Sequence, residues 1–62
     1  MMKSREVITI LKASGWTLKT VRGDHHQFEK SGIKVTVQHP VKDLSLRNII
    51  SIEKATGIRL RP

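Results

Sequence analysis

The six residues Ile33-Lys34-Val35-Thr36-Val37-Gln38 constrain this chain more than any other stretch. Three β-branched apolar residues alternate strictly with three polar ones, the period-2 pattern of a strand with one dry face and one wet face. His39-Pro40 closes the run, because proline cannot donate to a sheet ladder and holds the residue before it extended. A sheet with one apolar face must cover that face with something, and the rest of the chain decides with what.

Two further strand signals precede it. Trp16 to Arg22 (WTLKTVR) is rich in β-branched and aromatic residues. The turn dipeptide Gly23-Asp24 leads into HHQFEK, and Ser31-Gly32 leads into the alternating run. Together they predict a three-stranded antiparallel meander.

The flanks read as helices. Near the N-terminus Ser4 is placed to cap, Glu6 sits in the first turn where the helix dipole favours an anion, and Val7, Ile8, Ile10 and Leu11 form a broad apolar face. Ser14 and Gly15 end this helix at about residue 14. After the loop VKDL, Ser45 caps LRNIISIEKAT, which stops at Gly57. Leu46, Ile49, Ile50 and Ile52 make its apolar arc, and Glu53 must reach the edge of that arc. The expected fold is α+β in the order α-β-β-β-α, with both helices on one face of the sheet and the other face open.

A chain of 62 residues forms one domain, expected to span residues 1–62, with a marginal core, since a domain of this size buries only roughly 60% of its unfolded surface. It has no cysteine, so neither a disulfide framework nor a thiolate zinc site is available. No stretch has the pattern of a signal peptide or the length of a membrane span, which sets a cytoplasmic expectation. Twelve Lys and Arg against five Asp and Glu give a net charge of +7. These cations are spread along the chain, so the charge belongs to a folded surface and favours a polyanion or an acidic protein as partner.

The reactive-looking segment is Gly23-Asp24-His25-His26-Gln27-Phe28. Successive strand side chains point to opposite faces, so a buried Phe28 carries His26 inward and turns His25 and Gln27 outward. Burial of Ile33, Val35 and Val37 likewise turns Lys34, Thr36 and Gln38 outward, and an inward Leu18 adds Lys19. The open face thus gathers an imidazole, ammonium groups and hydrogen-bonding side chains, a surface suited to phosphate. For His26 the expectation is a half-buried ring hydrogen-bonded to backbone. Adjacent strand histidines cannot chelate one ion in regular geometry, so no metal and no other cofactor is expected. No phosphate-binding loop, dinucleotide fingerprint or nucleophile elbow is present.

Several segments, taken in order, resemble the HicA-type toxins, the ribonuclease half of HicA–HicB toxin–antitoxin pairs. They are Gly15-Trp16, the histidine segment at 23–28, the V-T-V-Q-H-P run at 35–40, Lys42-Asp43-Leu44, and I-x-x-I-x-K-x-x-G-I at 49–58. The resemblance implies a double-stranded-RNA-binding-domain-like fold, which agrees with the order read from the residues. It also implies metal-independent cleavage of mRNA by a histidine just after the glycine turn, and neutralisation by a HicB-like antitoxin. Strand alternation selects His25 as that catalytic group, with His26 second. Lys19, Arg22, Gly23, Gln27, Lys34, Thr36, Gln38 and His39 are the expected RNA-binding residues. Lys19 or Lys34 is expected to stabilise charge on the reacting phosphate, and water or His39 to carry a second proton. A non-catalytic RNA-binding module of the same fold is the competing reading. The chain departs from the family pattern in having Asp24 for the usual serine, Ser45 for a frequent proline, and Arg47-Asn48 for a frequent glycine-threonine pair. The Asp24 anion would repel phosphate beside the proposed active histidine.

Overall fold

A computed structural model describes residues 2–61. The elements follow the expected order: α1 (Ser4–Ala13), β1 (Thr17–Arg22), β2 (His25–Lys30), β3 (Ile33–Gln38) and α2 (Leu46–Thr56). The strands form one antiparallel sheet in the order β1-β2-β3. The fold is α+β and double-stranded-RNA-binding-domain-like, as expected.

Both helices press on the same side. Val7 and Leu11 of α1, Phe28 of β2, Val35 and Val37 of β3, and Ile49 and Ile52 of α2 form the buried core with Trp16 and Leu44. Fully burying a side chain of this kind stabilises by about 1.5–3 kcal/mol, so the core rests on a few residues. The cover is incomplete. The helices pack over β3 and its neighbour, and β1 overhangs, so Leu18 and Val21 stay 43% and 52% exposed. Ile33 and Leu46, expected in the core, are also about half exposed (49% and 50%) because each opens its element at the rim of that core.

Helix α1 ends in a Schellman turn. The Trp16 N–H donates to Leu11 O at 2.9 Å and the Gly15 N–H to Lys12 O at 3.1 Å, with Gly15 at φ +91°. Leu11 and Trp16 are both buried, which supplies the apolar contact that accompanies this motif. The N-terminal end departs from expectation. Lys3, not Ser4, is the capping residue, and its N–H donates to the Glu6 carboxylate at 2.9 Å. Ser4 lies one position inside the helix and is almost fully buried. Its Oγ accepts from the Val41 N–H at 2.9 Å and sits 2.7 Å from His39 Nδ1. A serine this close to the 39–41 loop finds partners there, so it fastens the loop to the helix instead of closing the first turn.

Helix α2 does start as expected, with the Asn48 N–H donating to Ser45 Oγ at 3.1 Å. Glu53 reaches past the apolar arc and gathers the C-terminal segment. Its carboxylate accepts from the Leu60 N–H at 2.8 Å and the Arg61 N–H at 3.0 Å, and pairs with the Arg61 guanidinium at 2.9 Å. The backbone N–H groups of Arg61 and Leu60, then the guanidinium, hold the Glu53 carboxyl below the usual carboxylate range.

Candidate active site

The site begins at the Gly23-Asp24 turn. Gly23 has φ +58°, a conformation that costs a side-chain-bearing residue. The turn is closed by the Arg22–His25 pair and fastened on its other side by the His39 N–H, which donates to Asp24 O at 2.8 Å. His25 is therefore the first residue of β2.

Register then fixes its neighbours. His25 lies opposite Arg22 on β1 and Gln38 on β3, and the next outward row is Thr20, Gln27 and Thr36. Directly opposite side chains in an antiparallel pair share a face at Cβ separations of about 4.5–5.5 Å. An open depression of about 570 Å³ is lined by Thr20, Arg22, His25, Gln27 and Thr36. The His25 side chain is 58% exposed, with Nε2 3.9 Å from Asp24 Oδ1, whose side chain is equally exposed (59%). An ion pair in that much water is weak and leaves the ring free to meet a ligand.

A β-bulge completes the arrangement. The register shifts between Leu18 and Thr20, so Leu18 opposes Phe28 while Val21 opposes His26. Strict alternation from an inward Leu18 would turn Arg22 inward as well; the extra residue returns Thr20 and Arg22 to the open face. Bulges leave no clear mark in a single strand, and here the hint is only that Leu18 and Val21 stand three apart.

Lys19 and Lys34 fall farther away. Lys34 opposes Glu29, four residues along β2 from His25, or roughly 13 Å at strand spacing. Lys19 pairs with the Glu29 carboxylate at 3.3 Å. The register seats neither ammonium beside His25; Arg22 holds that position.

His26 points inward, as alternation required, and is partly buried. The expected backbone hydrogen bond is not there: its Nδ1 is buried without a partner. The ring instead meets His39 edge to face, with centroids 5.0 Å apart and planes at 87°. His39, expected among the RNA-binding residues, thus stands on the helix-covered side with His26 and Ser4 and not on the open face with His25. Among the described residues, no group of three His, Cys, Asp or Glu side chains could hold a metal ion.

Sequence reasoning passed over Asn48. Strand β3 is a sheet edge, and the outward backbone groups of such an edge need partners. The Asn48 amide donates to Thr36 O at 3.2 Å and accepts from the Gln38 N–H at 3.3 Å, much as a neighbouring strand would. The available signal was an amide side chain one turn into a helix that had to cover an edge strand.

No described helix is long and apolar enough to cross a membrane. A search of curated proteins returned no match. The family model for the HicA toxin of bacterial toxin–antitoxin systems matches residues 4–58, a span running from the first residue of α1 to just beyond the Gly57 cap and containing the whole histidine-bearing sheet. With that match over most of its length, the chain belongs to the HicA toxin family and is the toxin component of a toxin–antitoxin system.

Proposed function

We propose that this toxin is a metal-independent endoribonuclease that cleaves mRNA on the open face of its sheet, with His25 as the catalytic residue. The single observation that carries this reading is the outward row Arg22–His25–Gln38: an accessible imidazole flanked by a guanidinium and an amide.

The reaction is attack of a ribose 2′-oxygen on the adjacent phosphorus. The O2′–P bond forms, the P–O5′ bond breaks, and one net proton passes from O2′ to the departing O5′, leaving a 2′,3′-cyclic phosphate and a 5′-hydroxyl. His25 takes the first proton or delivers the second, and water carries the other. Positioned acid–base catalysis of this kind contributes about 10²–10⁴ in rate. Arg22 stabilises the charge on the phosphorane oxygens, the place expected of Lys19 or Lys34 from sequence, because register brings its guanidinium to His25. Gln38 and Gln27 offer donors to phosphate and sugar oxygens.

Substituting His25 tests the assignment. His25→Ala is expected to keep its fold and its RNA affinity while losing RNA degradation and growth arrest. Retained cleavage would return the chain to the competing class, a non-catalytic RNA-binding module. Replacing the 2′-hydroxyl at the scissile nucleotide by hydrogen is expected to stop cleavage; a cut DNA linkage refutes the 2′-oxygen as nucleophile.

The antitoxin of this system is, on this reading, a HicB-like protein presenting an acidic surface to the open basic face and covering His25. Association should weaken as salt rises. A complex in which His25 stays as reactive to an imidazole-modifying reagent as in the free toxin would exclude occlusion.

A further inference from the structure

His25 borders two depressions, the first of them on the open face of the sheet. The second, of about 500 Å³, runs between the β3 edge and α2. Asn48 makes its floor, since its amide is tied down to Thr36 and Gln38. Its far wall is one stripe of α2: Arg47, Ser51 and Ala55 stand four residues apart, on one helix face. They span eight residues, or about 12 Å of helix at 1.5 Å per residue. Serine and alanine are small, so the groove stays open where larger side chains would fill it. Lys34 lines the opposite wall, and no carboxylate lines the groove. Arg47 and Ser51 are both exposed.

We infer that the β3–α2 groove is a second RNA subsite. A single strand crosses the β3 edge beside His25, and Arg47 and Lys34 hold the phosphates of the nucleotides beyond the scissile one. This deepens the ribonuclease reading and rests on it. Three properties of the groove favour a nucleic-acid strand. It is continuous with the His25 depression, it carries two cations and no acid, and it offers the hydroxyls of Ser45 and Ser51 to sugar and phosphate oxygens.

The test measures binding of 2′-O-methyl oligouridylates of three and eight nucleotides, which lack the attacking hydroxyl, by fluorescence anisotropy at several salt concentrations. Wild-type protein is expected to bind the longer strand at least about tenfold more tightly, because only that strand reaches the groove. Arg47→Ala should lose about tenfold on the longer strand, the worth of one charge-assisted bond, and leave the shorter one unchanged. Its salt slope should fall by about 0.7, one phosphate contact on a single strand. Ser51→Leu, which fills an exposed groove without touching charge, should weaken the same strand. Equal affinity of wild type for both lengths, or unaltered binding by both variants, overturns the subsite. His25→Ala separates this inference from the one beneath it. If that variant still cleaves RNA, the catalytic assignment fails whatever the groove does. If it is inactive while the groove variants bind normally, the subsite fails alone.

Discussion

His25 and His26 are joined by one peptide bond and live in different media. His25 stands in water between Arg22 and Gln38, while His26 is turned under the sheet against His39, with a buried nitrogen that has no partner. Strand geometry alone separates them, because consecutive side chains leave a pleated backbone on opposite sides. The same division runs through the whole sheet. The open face carries polar side chains in rows across three strands, and the covered face carries Phe28, Val35 and Val37. Identical side-chain chemistry thus becomes an accessible group on one face and a packing group on the other.

The largest effect that can break this comparison is catalytic. His25→Ala should lower RNA cleavage by about 10²-fold or more with an unchanged melting temperature. His26→Ala should keep most activity per folded molecule and change stability instead. Should His26→Ala abolish cleavage with its melting temperature intact, the roles of the two histidines are reversed.

Next comes the covered face itself. Phe28→Ala should cost about 3–5 kcal/mol in urea unfolding, a large share of what so small a domain possesses. Leu18→Ala, directly across from Phe28 but 43% exposed on the overhanging strand, should cost far less. Comparable losses at the two positions would mean that β1 is covered in solution.

Ser4→Ala probes the tie beneath the histidine pair. It strips the buried hydroxyl from the Val41 N–H and from His39 Nδ1, and leaving such groups unmet costs about 1–3 kcal/mol. An ordinary capping serine would cost about 1 kcal/mol and leave the 39–41 loop in place. Amide hydrogen exchange at Val41 distinguishes the two.

The smallest effect lies at Glu53, whose partly buried carboxylate holds the C-terminal segment. Its folded-state carboxyl titrates below the unfolded one, so the stability it contributes is present above the unfolded value and is lost as pH falls through the folded one. Glu53→Gln should therefore speed exchange at the Leu60 and Arg61 amides near neutrality, and the difference from wild type should vanish in acid. A difference that persists once the carboxyl is protonated would show that its charge is not what holds the segment.

Much of this was legible in the residues. The alternation at 33–38, the turns at Gly23-Asp24 and Ser31-Gly32, and the proline after His39 marked β2 and β3 at their observed ends. Other features depended on partners distant in the chain. Ser4 reads locally as a cap, and only the approach of the 39–41 loop makes it a buried fastener. Asn48 reads as an ordinary helix residue until the β3 edge lies beside it. Ile33 reads as core because alternation names its face, but alternation cannot say how far along that face the helices extend.

What the sequence determined by itself was which face each side chain of β2 and β3 takes, since a two-residue period is a property of the extended backbone. That was enough to turn His25 outward and His26 inward. Only the tertiary structure decided which cation meets His25. The bulge at Lys19 shifts Thr20 and Arg22 across the sheet, and a bulge is selected by how β1 pairs with β2, not by the local sequence of β1. It likewise set His39 against His26, because the covered side is where the 39–41 loop returns to α1. Short-range stereochemistry chose the faces, and long-range pairing chose the neighbours.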